Sequence, residues 1–354
     1  MKGLILAGGR GTRLRPITHT SAKQLVPVAG TPIVFYGLAH MAEVGIREVG
    51  LIVGETAAEV RDAVGDGSRW GVEITYIPQA EPLGLAHCVL IAKDFLGDDD
   101  FVMYLGDNLL QHGLGGLVAR ADRSPASAHI LLSPVRDPQR FGVAELNGDG
   151  RVVRLIEKPV EPASNLAMVG VYLFTAAIHD AVAAIEPSAR GELEIVDAVQ
   201  WLVDRGDVVD HELLDGWWID TGKKDSVLEA NRRVLETIEP RCDGTIDETT
   251  EIDGRVVIEA GAELVRAVVR GPALIGAGAR IADSYVGPFT SVGAGSVIVA
   301  SEVESSVLLE RVRLDGVSRL VDSLIGRDSE VVRSGRSPQA TRLLLGDHCS
   351  VDLQ

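Results

Sequence analysis

Two textures of hydrophobic and polar positions divide the chain. From residue 1 to about 235, short apolar runs of β character alternate with stretches whose apolar residues recur at helical spacing. Gly3–Ala7, Val49–Val53, Ile74–Ile77, Phe101–Leu105 and Ile130–Val135 read as strands, and Pro32–Val44 and Ala57–Val64 as helices. Two further apolar runs, Val152–Ile156 and Met168–Phe174, come before helical patterns at Glu192–Val203 and Lys224–Leu235. Such alternation predicts βαβ units around a mostly parallel sheet, an α/β domain.

From about residue 246 the helical period vanishes. Short units of an aliphatic residue, a glycine and small residues follow one another, as in Leu274-Ile275-Gly276-Ala277-Gly278-Ala279 and Val292-Gly293-Ala294-Gly295-Ser296-Val297. Ile275, Ile281, Val286, Val292 and Ile298 fall five or six apart, the spacing of hexapeptide β-helix repeats in which each aliphatic residue stacks inside a triangular coil. Past residue 300 the pattern becomes irregular, and it fits either imperfect coils to about residue 335 or a short β-helix with a loose tail. The expected division is therefore an α/β domain over 1–238 and a β-helix over 246–354 with an irregular C-terminal tail.

Bulk properties narrow the function classes. The 354 residues are 46% hydrophobic and 24% charged, the balance of a folded globular protein, and the formal net charge of -17 argues against nucleic acid as a partner. No apolar run reaches membrane-spanning length, so no membrane partner is expected and the location expected is cytoplasmic. Cys88, Cys242 and Cys349 are too few and too scattered for a disulfide framework or a zinc site, and read as incidental thiols.

Candidate chemistry concentrates at the N-terminus. The strand Gly3–Ala7 runs directly into Gly8-Gly9-Arg10-Gly11-Thr12-Arg13, where missing side chains let backbone N–H groups approach phosphate oxygens. Before Glu43 there is no acidic residue, while Lys2, Arg10, Arg13, Arg15 and Lys23 are positive in an otherwise acidic protein. That segregation suits a ligand with several phosphates, which Arg forks and a Lys point charge offset. The segment lacks the Gly-Lys-Ser/Thr of a Walker loop and the glycine spacing of a dinucleotide fingerprint. Further along, Phe101–Leu105 leads into Gly106-Asp107-Asn108, which puts a carboxylate at the C-terminal edge of a parallel sheet, where α/β proteins bind ligands. Trp217-Trp218-Ile219-Asp220 likewise ends an apolar run in a carboxylate, and two carboxylates plus phosphate oxygens suffice for Mg²⁺.

The runs Leu6-Ala7-Gly8-Gly9-x-Gly11-Thr12-Arg13-Leu14-x-Pro16 and Lys23-Gln24-Leu25-x-Pro27-Val28 resemble the signature of the sugar nucleotidylyltransferases, most of all the long glucose-1-phosphate thymidylyltransferases with a C-terminal left-handed β-helix. The resemblance implies a Rossmann-like nucleotide-diphospho-sugar transferase fold of mixed sheet, and a reaction between dTTP and glucose 1-phosphate that yields dTDP-glucose and pyrophosphate for deoxysugar biosynthesis. It assigns Gly8, Gly9, Gly11, Thr12, Arg13, Lys23, Gln24, Gln79, Gly84 and Asp107 to the nucleotide, with Gln79 and Gly84 at the base. Asn108, Gly142, Glu157, Lys158, Val169 and Tyr172 fall to the sugar phosphate, Asp107 and Asp220 to Mg²⁺, and Arg13, Lys23 and Lys158 to catalysis. A glutamine amide offers the donor and acceptor that thymine or uracil needs. Leu83 stands where many short relatives carry an acid.

Glu192, Glu194 and Asp197 read as acids of a first helical turn, with a structural role. A uridylyltransferase and a regulatory nucleotide-sugar-binding paralogue are the alternatives, the second disfavoured because Arg13, Lys23, Asp107 and Asp220 occur together. An acetyltransferase on the coils is disfavoured because their only histidine, His348, lies beyond the repeats. The coils are expected to serve a homo-oligomer, since stacked rungs present flat faces to neighbours.

Overall fold

The computed structural model describes residues 1–9, 11–19, 21–333 and 347–352, so Arg10 of the basic segment lies outside the described residues. The chain forms two compact units. The first comprises Met1–Arg10, Ala22–Leu25 and Ile33–Asp220, and the second Gly11–Ser21, Val26–Pro32 and Thr221–Gln354.

In the first unit the strands are β1 (Lys2–Ala7), β2 (Glu48–Val53), β3 (Glu73–Pro78), β4 (Phe101–Leu105), β5 (Asn108–Leu110), β6 (Ala128–Pro134), β7 (Gly142–Leu146), β8 (Val152–Glu157), β9 (Leu166–Phe174), β10 (Val209–Leu213) and β11 (Trp218–Asp220). Their main sheet runs β8-β7-β9-β4-β1-β2-β3, with β6 beside β9 and β10 beside β6. β4, β1, β2 and β3 are parallel, whereas β9 is antiparallel to β4 and β6, so the sheet is mixed. β1 has no polar alternation because both of its faces are covered. Leu4 and Leu6 face a core built with helices Leu85–Ile91, Ile178–Ala184 and Ile195–Arg205. Ile5 and Ala7 face a second core built with Ile33–Glu43, Ala57–Val64 and Gly115–Ala121.

In the second unit a short hairpin, Pro27–Val28 with Thr31–Pro32, and the helix Lys224–Leu235 accompany three parallel ladders of short strands. Along one ladder Val256 pairs with Ala273 and Ala273 with Thr290, the pattern of a three-sided β-helix. Ile275, Ile281, Val286, Val292 and Ile298 are fully buried along its axis, as the repeat predicted. Corners fall at Arg266, Asp283 and Ala300, each with positive φ (48, 52 and 46°), and Arg266 pairs with Asp283 seventeen residues on. The strands continue to Glu330–Val332, so the irregular sequence past residue 300 still forms coils. Leu308 and Leu314 fill the axis there, and the spacing between paired residues shortens by one, from Ala273–Thr290 to Ser291–Val307 and Val297–Arg313, before Val307–Leu324 restores it.

Candidate active site

The first unit gathers its candidate residues at the C-terminal ends of the parallel strands. Gly8 and Gly9 follow β1, Gln79 follows β3, and Asp107 and Asn108 follow β4. A Cβ built on Gly8 would lie 3.3 Å from Gln79 Oε1, and one built on Gly9 would lie 3.6 Å from Gln24 Nε2, so the glycine turn passes between two glutamines. Gln24 is buried and its Oε1 has no hydrogen-bond partner among the described residues. A buried acceptor left so is costly unless a water or ligand donates to it.

Lys23 is only 6% exposed, and its ammonium donates to Asp107 Oδ2 and lies 4.0 Å from Asp220 Oδ1. Two carboxylates from distant parts of the sequence thus converge on one cation. Burial pushes the Asp107 carboxyl up, but the charge of Lys23, its hydrogen bond and that of Asn108 outweigh it and hold the group below its ordinary value. Asn108 Nδ2 donates to Asp107 Oδ1 at 2.7 Å, and Trp218 Nε1 donates to Asn108 Oδ1. Asn108 also sits opposite Asp220 in the β5–β11 pair. Gly170 on β9 lets this side chain in, because a Cβ there would approach Asn108 Oδ1 to 2.6 Å. Asn108, Trp218 and Gly170 together set where both carboxylates stand.

Gln79 Nε2 donates to the Gly84 carbonyl at 3.4 Å and faces His87 Nδ1 at 3.1 Å. Gly84 has φ +105°, and a Cβ there would meet Leu193 O at 2.3 Å, so no larger residue fits. His87 was not singled out from the sequence, where a lone histidine in an apolar helix carries no signal.

Around β8 the structure adds residues to those predicted. Glu157 Oε1 lies 2.8 Å from Lys158 Nζ and 3.2 Å from Arg190 Nη2, and Arg190 also holds Glu194 at 2.7 Å and Glu192 at 3.5 Å. Burial disfavours the charge on Arg190, yet the three glutamates, Glu194 foremost, hold its pKa above the usual value. A Cβ on Gly142 would touch Val196 at 2.5 Å and Glu157 Oε2 at 3.3 Å, placing that glycine beside the cluster. Glu194 departs from its reading as an acid of a first helical turn. It precedes the helix Ile195–Arg205 but makes no capping hydrogen bond, because its carboxylate is taken by Arg190 and the Ser188 hydroxyl. Asp197 remains in the first helical turn.

Val169 and Tyr172 both lie on β9 but on opposite faces, each buried in a different core. Tyr172 stacks on Phe174 with centroids 5.6 Å apart, and burial raises its phenol well above the usual range. Gly11, Thr12 and Arg13 belong to the second unit. There Gly11 takes φ 61° ahead of the 3₁₀ turn Thr12–Leu14, on which Thr12 and Arg13 are exposed.

A glycine turn, a buried lysine between two carboxylates and a glutamine, all at one edge of a parallel sheet, mark an α/β protein that handles phosphorylated nucleotides. The chain belongs to the nucleotidyl transferase family, whose model matches residues 2–237. It is 58% identical over 356 residues to a glucose-1-phosphate thymidylyltransferase of Streptomyces antibioticus, covering 100% of both chains. It is 56% identical over 348 residues to a protein of the same description from Streptomyces griseus, covering 98% of each. A crystal structure described as a glucose-1-phosphate thymidylyltransferase from Bacillus anthracis, with sucrose, matches with a TM-score of 0.63 at 36% identity over 68% of this chain and 96% of that one.

Proposed function

We propose that the protein transfers a deoxythymidylyl group from dTTP to glucose 1-phosphate, giving dTDP-glucose and pyrophosphate for deoxysugar biosynthesis. The observation that carries this reading is the Lys23 ammonium held between Asp107 and Asp220 beside the Gly8-Gly9 turn. In-line attack by a phosphate oxygen of glucose 1-phosphate forms a new bond to the α-phosphorus as the bond to the bridging α–β oxygen breaks. The acceptor is ionised near neutral pH, so positioning and charge neutralisation govern the rate. Lys23 offsets phosphate charge, Gln79 reads the pyrimidine edge, and Arg13 receives the departing pyrophosphate. Lys158, beside Glu157, draws in the anionic acceptor while Glu157 takes sugar hydroxyls.

The convergent carboxylates of Asp107 and Asp220 fit Mg²⁺, a hard cation that takes a few protein oxygens and completes its shell with phosphate and water. When bound there, the ion would neutralise charge on the triphosphate and draw electron density from the phosphorus. We read the protein as cytoplasmic and as a homo-oligomer assembled through its coils. Among the described residues no helix is long and apolar enough to cross a membrane.

Pyrophosphate release with Mg²⁺ and glucose 1-phosphate, compared across dTTP, UTP, ATP and GTP, tests the reaction. Release fastest with dTTP, and reduced about 1,000-fold by Asp107→Asn, is expected. Faster release with UTP would make the protein a uridylyltransferase. Folded protein that binds nucleotide yet releases no pyrophosphate would sink the catalytic reading.

A further inference from the structure

The first segment of the chain to leave the α/β unit, Gly11–Ser21, belongs to the second unit, where its contacts include Gly326 and Arg327 of the last described coil and His348 beyond it. Arg327 Nη1 donates to the hydroxyl of buried Ser21 at 3.0 Å. One residue earlier, Gly326 lies under Ile17, where a Cβ would come within 3.2 Å of the Ile17 methyl. His19 stacks on His348 with ring centroids 5.9 Å apart. Inside the segment, the Thr18 hydroxyl donates to Gly11 O at 2.7 Å and Leu14 N to the same carbonyl at 2.9 Å, while Leu14 and Thr18 are buried. The segment is therefore braced on itself and tied to the coil corner Gly326-Arg327. Arg327 is in turn steadied by Glu310 of the preceding coil, with Nε 3.6 Å from Oε2.

We infer that the β-helix anchors the loop that carries Arg13, and that Arg327 is a positioning residue for nucleotidyl transfer. The inference rests on the proposed function for Arg13's task, but the anchoring itself rests on contacts within the second unit alone. A cation acts on a leaving group in proportion to how often it is already in place, since reorganisation during the reaction forfeits the stabilisation. Arg13 is exposed on a 3₁₀ turn of three residues, Thr12–Leu14, too short to hold itself. Contacts further along the segment, at Ile17, His19 and Ser21, can supply that order. If the loop is competent for only a fraction of the time, apparent affinity for the triphosphate falls by that fraction.

The test compares the full-length wild type with Arg327→Ala, Arg327→Lys and Ser21→Ala. Hydrogen exchange of peptides covering 11–21 should quicken in Arg327→Ala and Ser21→Ala, with exchange of the α/β strands unchanged. The KM for dTTP should rise about 10-fold in both while that for glucose 1-phosphate stays within about twofold, and Arg327→Lys should recover part of the loss. In an Arg13→Ala background, Arg327→Ala should add almost nothing. Unchanged exchange over 11–21 overturns the anchor. An equal kinetic loss with and without Arg13, or an equal rise in both KM values, overturns the positioning role. A wild type without transferase activity would instead fail the proposed reaction, and the exchange result would still decide the anchor.

Discussion

The two units bury polar groups in different ways. The α/β unit buries Lys23, Glu194, His129 and His179, groups that carry or can carry charge, together with Gln24 and Asn108. The second unit, among the described residues, buries hydroxyls and amides: Thr18, Ser21, Thr221, Asn231, Ser284, Thr290, Ser291, Ser296, Ser301 and Ser306. Its polar groups repeat with the coil. Ser284 accepts from Ser301 N, Ser301 from Val317 N, and Ser306 from Ser323 N, each serine bonding the coil that follows. A neutral ladder of this kind needs no distant partner for its charge. The α/β unit instead meets its buried charges with ion pairs, Lys23 with the distant Asp107 and Glu194 with the nearby Arg190, which are costly to break and chemically useful.

The largest expected effect comes from breaking a charged pairing. Lys23→Met should lower pyrophosphate release by about 1,000-fold, because the triphosphate then loses the buried ammonium proposed to offset its charge. A loss below about tenfold would mean that Lys23 does not act on phosphate.

Next is Asn231, the least repetitive polar group of the second unit. Its Oδ1 accepts from Ala29 N at 2.9 Å and the Ser291 hydroxyl at 2.7 Å, and its Nδ2 donates to Phe289 O at 3.0 Å, joining hairpin, helix and coil. Asn231→Ala should cost about 3 kcal/mol, read as earlier urea unfolding of second-unit peptides in hydrogen exchange. Ser301→Ala should cost only about 1 to 2 kcal/mol by the same measurement, since one rung of the ladder loses an acceptor while its neighbours keep theirs. Equal costs would erase the distinction between a nodal amide and a repeated hydroxyl.

The smallest effect is set by pH. Burial lowers the pKa of His40, His129, His179 and His211, all in the α/β unit, against partial compensation from nearby acids. The folded state binds fewer protons than the unfolded one wherever the unfolded histidines, with pKa about 6.5, begin to charge. Stability contributed by keeping them neutral is therefore present above about pH 6.5 and declines as pH falls through that value. The thermal midpoint of the α/β unit should drop by a few degrees, roughly 2 to 5 °C, between about pH 7.5 and 5.5, with exchange in the coils following less. Coils that open first would assign the acid sensitivity to the wrong unit.

Much of the fold was legible because it is written locally. Ile275 to Ile298 repeat at the spacing of the coil, and β1 is an unbroken apolar run because it is covered on both faces. The glycine turn, the basic segment and the carboxylates at strand ends were likewise visible as positions. Glu194 was legible only as an acid near a helix start, since nothing local shows that Arg190 lies within 2.7 Å and draws its carboxylate off the cap. Arg190, His87 and Arg327 gave no signal, being ordinary polar residues whose partners are chosen by packing.

By itself the sequence determined the alternating α/β pattern, the stacked coils and a phosphate-suited N-terminus, because propensity, period and charge segregation act over a few residues. Only the tertiary structure decided that Lys23 meets Asp107 across 84 residues and that Ser21 meets Arg327 across 306. Such pairings depend on chain paths, and many paths share the same local pattern. The same holds for Gly11–Ser21, which leaves the unit that begins with β1 and joins the coils. Its basic residues advertise a ligand, and its anchor is visible only once the coils have stacked.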